Sequence, residues 1–199
     1  MGRKNTQCCL FASALLMLTA CGHVAKLAGS NQIPGSLAKE FSLVDGSGYI
    51  KAQPGRMPLI GKKALGLLGG DSSELLIGAV RYNNGRTHLI ALVYDILRIE
   101  SLTINFDGKI SSYRADSETE INLEHEGHLL THSLNKFLVP EELVRAMVSE
   151  DTEKIYMKLF TSEGYIEGDF GASCESKFRD RSCIAIRNFL TAIDGCDSC

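Results

Sequence analysis

The stretch "SLTINFDGKISSYR", residues 101–114, decides the fold. Two short runs rich in β-branched and aromatic residues are joined by Asp107-Gly108, a pair that tolerates the positive φ angles of a two-residue hairpin turn. The same grammar repeats on either side. "ELLIGAVRY" and "RTHLIALVYDILRI" are linked through Asn83, Asn84 and Gly85; "ETEINLEH" is followed by "HLLTHSLNKFLV"; and "EKIYMKLFT" meets "YIEGDF" across Ser162-Glu163-Gly164. No long helix separates successive strands. The expectation is a mainly β (α+β) chain, an antiparallel β-sandwich or barrel of about eight strands with two peripheral helices.

The helices announce themselves by periodicity and punctuation. "PEELVRAMVSE" opens on Pro140, tolerated in a first helical turn, with Glu141 and Glu142 at the electropositive end. Leu143, Val144, Met147 and Val148 then share one face. From about Cys183 to Asp194, the residues Ile186, Phe189, Leu190 and Ile193 repeat the pattern, and Gly195 stops it. The segment from "FLVPEELVRAMVSE" through "EKIYMKLFTSEGYIEGDFG" to this last helix resembles uncharacterised lipoproteins of proteobacteria. It carries no catalytic motif, so that resemblance implies a fold and no activity.

At the other end, "MGRKNTQCCLFASALLMLTACG" combines a basic start (Arg3, Lys4), an apolar run and small residues before Cys21. The run is shorter than the roughly 20 residues that span a bilayer, so it reads as an export signal. Leu18-Thr19-Ala20-Cys21 matches the lipobox of bacterial lipoproteins. That resemblance implies cleavage before Cys21, a diacylglycerol on its thiol and acylation of the new amino group, with the membrane as a partner through this anchor. Gly22 rather than Asp after the cysteine implies sorting to the outer membrane in enteric-type bacteria, with the domain in the cell envelope and most simply facing the periplasm. The expected organisation is a signal peptide over 1–20, a lipidated cysteine and tether over 21–58 with a strand near Tyr49 to Ala52, and a β-rich domain over 59–199.

Without residues 1–20 the chain keeps 179 residues, with 19 Lys and Arg against 24 Asp and Glu. A mildly acidic surface with no basic cluster argues against nucleic acid as a partner, and the absence of Trp removes an indole platform for sugars or bases.

Four cysteines remain after the signal and Cys21: Cys174, Cys183, Cys196 and Cys199. An even count in an exported chain implies disulfides. If Cys183 opens the last helix, Cys196 lies about 20 Å away along it, well past the roughly 7 Å limit for a bridge. The spacing therefore favours Cys174 with Cys183 and Cys196 with Cys199. "CDSC" also spells CxxC, but it follows a helix C-terminus, where nothing lowers a thiol pKa. The separation that forbids the Cys183–Cys196 bridge also forbids a four-thiol zinc site.

Two further motifs bear on chemistry. Gly70-Asp71-Ser72 resembles the GDS block of a family of serine esterases, yet that family needs a late Asp and His three residues apart and no histidine follows His132. "EHEGHLLTH", residues 124–132, gathers His125, His128 and His132. On a helix the three would share a face, but Gly127 and the flanking alternation favour a hairpin in which His125 and His128 flank a Glu126-Gly127 turn, with His132 on the same face as His128. "HEGH" is one residue short of HExxH. The carboxylate pairs Glu118/Glu120 and Glu124/Glu126 sit at strand spacing on a solvent face, which does not indicate acid/base catalysis. No cofactor is implied. The reading is a binding or assembly module rather than an enzyme, with an envelope protein as partner. A metal-binding protein centred on His125, His128 and His132 is one alternative. An inhibitor or immunity-type partner of an envelope-directed enzyme is the other.

Overall fold

In the computed structural model, which describes residues 37–41, 48–60, 74–125, 129–149, 154–175 and 181–195, the Asp107-Gly108 turn has φ angles of 47° and 87°. Both are left-handed values, which match the twist of an antiparallel pair and suit Asp and Gly. The Asn105 side-chain oxygen accepts the Gly108 N–H at 2.9 Å and closes the turn.

Ten strands and three helices follow in the order β1 (Leu37–Phe41), β2 (Gly48–Met57), β3 (Leu75–Tyr82), β4 (Thr87–Val93), β5 (Ile99–Phe106), β6 (Lys109–Arg114), β7 (Glu120–His125), β8 (Leu129–Val139), α1 (Glu141–Ala146), β9 (Ile155–Thr161), β10 (Gly164–Asp169), α2 (Phe170–Glu175) and α3 (Ser182–Asp194). They form a six-stranded sheet, β1-β2-β3-β4-β8-β7, and a four-stranded sheet, β10-β9-β5-β6. Every pairing is antiparallel. The sheets stay open, which selects the sandwich-like alternative over the barrel. The core lies between them: Ile77, Leu89, Ala91, Val93 and Phe137 from the larger sheet, and Leu102, Ile104, Met157 and Leu159 from the smaller.

The helices close this core. α3 lies along β2 and β3 and buries Ile186, Phe189, Leu190 and Ile193, the face expected from their spacing. Val144 and Met147 of the α1 segment are fully buried, with Leu143 and Val148 packed at the margin. α2 was not anticipated, because "DFGASCE" is short and carries no apolar period of its own. Cys174 at its end and Cys183 at the start of α3 lie at disulfide distance, with Cα atoms 5.0 Å apart. A bridge closing so short a loop contributes about 2–3 kcal/mol in the chain-entropy account.

The folded part begins earlier than residue 59. The stretch assigned to a tether contributes β1 and all of β2, and β2 runs inside the sheet with Ile50, Ala52 and Met57 buried. Its period-two signal is interrupted by a bulge: the register steps from Ala52↔Ala79 to Gly55↔Ile77, so Gln53 and Pro54 stand against Gly78 alone. A Cβ at residue 78 would meet the Ala52 carbonyl oxygen at 2.6 Å and the Pro54 nitrogen at 2.8 Å, which explains the glycine.

Two buried polar side chains of β8 hold the crossings between the sheets. The Ser133 hydroxyl accepts the Leu97 N–H at 2.9 Å and donates to the Asp95 carbonyl at 2.7 Å, fixing the passage from β4 to β5. The Asn135 amide donates to the Ser117 carbonyl at 3.0 Å and reaches Ile99 O and Thr119 Oγ1 at 3.4 Å, fixing the passage from β6 to β7. Asn135→Ala removes the donor to the Ser117 carbonyl and the longer contacts to Ile99 O and Thr119 Oγ1, which keep their bonds to each other. It is expected to lower unfolding free energy by about 1–3 kcal/mol, read as a reduced urea midpoint at unchanged slope.

Candidate functional site

The outer face of the four-stranded sheet is the candidate site. Strand register sets its composition. Ile155, Met157, Leu159 and Thr161 of β9 point into the core, so Tyr156, Lys158 and Phe160 point out. Across the sheet, Tyr165 faces Phe160, Glu167 faces Lys158, and Asp169 faces Tyr156; on the other side Lys158 and Tyr156 face Thr103 and Asn105, which pair with Ser112 and Ile110. Pro58–Ile60 runs along the β10 edge, with Ile60 N–H donating to Glu167 O at 2.9 Å and Asp169 N–H to Pro58 O at 2.8 Å. Ile60 therefore joins the outer face as its far wall.

These residues enclose a groove of about 580 Å³. Its apolar members are unusually open for their type: Ile110 is 68 % exposed, Ile60 44 %, Tyr156 38 % and Phe160 36 %. Scattered single apolar residues on a surface need no explanation, but four around one groove do. At the centre the Lys158 ammonium meets the Glu167 carboxylate at 2.6 Å and stands 4.2 Å from the Tyr165 ring centroid. The hydrogen bond that the ammonium donates to Glu167 raises the Lys158 pKa, so the side chain stays charged. Thr103 and Ser112 share a hydroxyl hydrogen bond of 2.8 Å. The floor is thus polar but internally satisfied, and what the face offers a ligand is mainly apolar contact.

A second polar corner lies on the outer face of the six-stranded sheet. Val80, Ile90 and Leu134 form a small apolar cluster there, roofed by Tyr49, Tyr82 and Leu92. His88 beside it is 4 % exposed, with its ring 5.5 Å from that of Tyr82 and its Nε2 3.4 Å from Asp116 Oδ2. Its Nδ1 is buried without a hydrogen-bond partner. Burial pushes the His88 pKa down, against the opposing pull of Asp116. Burial also weighs on the Lys136 ammonium, but the Tyr82 side chain and the Glu120 carboxylate, 3.4 Å from Nζ, outweigh it and raise its pKa. Lys51 is pushed down by burial and by Lys136. Glu120 therefore serves an ion pair, and its strand neighbour Glu118 stands exposed in the connection.

The histidine hairpin differs from the expected one. The register pairs His125 with Leu129 and Asn122 with His132, so the connection is the three residues 126–128 rather than Glu126-Gly127. His128 falls in that connection, outside the described residues, and the backbone alone places His125. His132 is partly buried with its ring 6.4 Å from that of Tyr94. Among the described residues no group of three or more His, Cys, Asp or Glu converges as metal ligands. Cys21, Gly70-Asp71-Ser72, Cys196 and Cys199 lie outside the described residues, as does Glu126. Among the described residues no helix is long and apolar enough to cross a membrane.

Sequence reasoning passed over Ile110, Tyr156, Lys158 and Phe160. The signal was present in "EKIYMKLFT", where apolar residues occupy both parities of the strand. The fold and the face together define an antiparallel β-sandwich module with one sheet left apolar toward its surroundings. No family model matches the chain, and no curated protein or solved structure matches it either.

The unfolded chain takes up a proton on His88 near pH 6.5, and the folded chain resists it. His88 therefore costs no stability above that pH, and stability is lost as pH falls through about 6.5 toward the depressed folded value. Comparing urea midpoints at about pH 7.5 and about pH 5.5 should give a smaller drop for His88→Leu than for the parent, the other histidines being common to both.

Proposed function

We propose that this chain is a lipid-anchored cell-envelope protein that acts as a binding or assembly module and not as an enzyme. The lipobox resemblance at Leu18-Thr19-Ala20-Cys21 supports the anchor, with Cys21 acylated and the domain held at the outer membrane on its periplasmic side. The observation that carries the binding role is the groove bounded by Ile60, Ile110, Tyr156 and Phe160. Aromatic and aliphatic anchors around a satisfied polar centre are what the core of a protein interface requires, and the acidic overall charge points to a protein and not to nucleic acid.

Cys21→Ser should move the protein from the membrane fraction to the soluble one on fractionation of the producing cells. Retention in the membrane would overturn the anchor.

The binding role is read by placing a benzophenone amino acid at Tyr156 or Phe160 of the full chain in its own envelope, with Arg187 on α3 as the control position. One discrete adduct from the two sheet positions, absent from the control, is the expected result. Ile110→Asp should reduce its yield several-fold while changing stability by no more than about 0.5 kcal/mol, since this side chain touches little of the core. Equal labelling from all three positions would count against the groove.

A further inference from the structure

This inference rests on reading the four-stranded sheet as the recognition surface, and it specifies what is recognised. β6 is the outermost strand of that sheet. The hydrogen bond from Ala115 N–H to Glu100 O at 2.9 Å, with the register Ser101↔Arg114, fixes the direction of every backbone group along it. Lys109, Ser111 and Tyr113 bond toward β5, so the N–H and C=O groups of Ile110, Ser112 and Arg114 point away from the sheet. No described backbone group takes them up. The side chains of the same three residues stand on the outer face, and Ile110 is also a wall of the groove. An unused row of donors and acceptors therefore adjoins an exposed apolar face, the arrangement that accepts an added strand.

Charge selects the occupant. Lys109 and Arg114 are exposed at the two ends of β6, and neither forms an ion pair among the described residues. A second copy fits poorly. Antiparallel pairing of two β6 edges with Ser112 opposite its own copy sets Ile110 against the other copy's Arg114. The guanidinium in that register faces an aliphatic side chain at both ends and finds no carboxylate. A strand that carries carboxylates at these positions meets both cations, which a second copy does not. We infer that the β6 edge takes up, antiparallel, an extended segment of a partner protein bearing a carboxylate opposite Arg114, an apolar residue opposite Ile110 and a second carboxylate beside Lys109.

The probe is the acetylated and amidated peptide Glu-Val-Thr-Ser-Val-Glu, titrated into the ¹⁵N-labelled full chain in detergent micelles. The expected result is chemical-shift change and slowed amide exchange centred on Ile110, Ser112 and Arg114. Lys-Val-Thr-Ser-Val-Lys should bind at least about tenfold more weakly, and so should the acidic peptide N-methylated at its threonine, which keeps the charges and loses a backbone donor. The double substitution Lys109→Glu and Arg114→Glu, which touches no core contact, should reverse the preference between the two charged peptides. Unmoved β6 amides with the acidic peptide, or equal binding by all three peptides, would overturn the inference. If the β6 amides are unmoved while the Tyr156 and Phe160 adducts persist, the sheet face binds its partner in another way and only the strand-addition inference falls. If the adducts vanish as well, both fall.

Discussion

The sandwich depends on two polar side chains buried in β8. An apolar residue at position 133 or 135 would add to the core, yet Ser133 and Asn135 sit there because the chain must cross from one sheet to the other twice beside them. Each crossing leaves backbone groups that no strand ladder satisfies. Ser133 meets both the Asp95 carbonyl and the Leu97 N–H, and Asn135 gathers acceptors from Ile99, Ser117 and Thr119. One strand of the larger sheet thereby sets where the β5–β6 hairpin of the smaller sheet begins and where it ends, and Thr103, Ile110 and Ser112 take their places on the outer groove from that placement.

The two sheets use their outer faces differently. In the larger sheet β3 and β4 are buried almost throughout, and their second face closes over itself with Tyr49, Tyr82 and the buried His88. The smaller sheet has no such roof among the described residues. Its outer rows alternate an internally paired polar centre with open aliphatic and aromatic side chains. The two faces of the smaller sheet thus differ: the inward rows of β5 and β9 hold the core, and no described element covers the outward rows of the same strands.

Much of this was legible in the sequence, and the parts that were not have physical reasons. Asp107-Gly108 and the alternation around it gave the hairpins, and Ile186, Phe189, Leu190 and Ile193 gave the buried face of α3, because both signals are local and periodic. The Cys174–Cys183 pairing followed from helix length alone. Only the stretch near Tyr49 to Ala52 of β2 reads as strand and the rest as tether, because a bulge at Gln53-Pro54 breaks its period and the adjacent glycine and proline mimic a linker. The role of Asn135 could not be read, since the groups it satisfies lie 16 to 36 residues away in sequence. The groove was present only as surplus: Tyr156 and Phe160 make β9 apolar on both parities, and only the topology says that no described element covers one of those faces.

The placement of α3 orders events in time. This helix covers β2 and β3, and the Ser182 hydroxyl donates to the Gly55 carbonyl at 2.7 Å across 127 residues of chain. Strands made early in synthesis thus wait for a helix made late. Until Ser182–Asp194 has emerged, the apolar inner face of β2 and β3 has no lid, and contacts of such long sequence range form slowly. Until α3 is made the nascent chain therefore carries an uncovered apolar face, the kind of surface through which unfinished domains stick to one another.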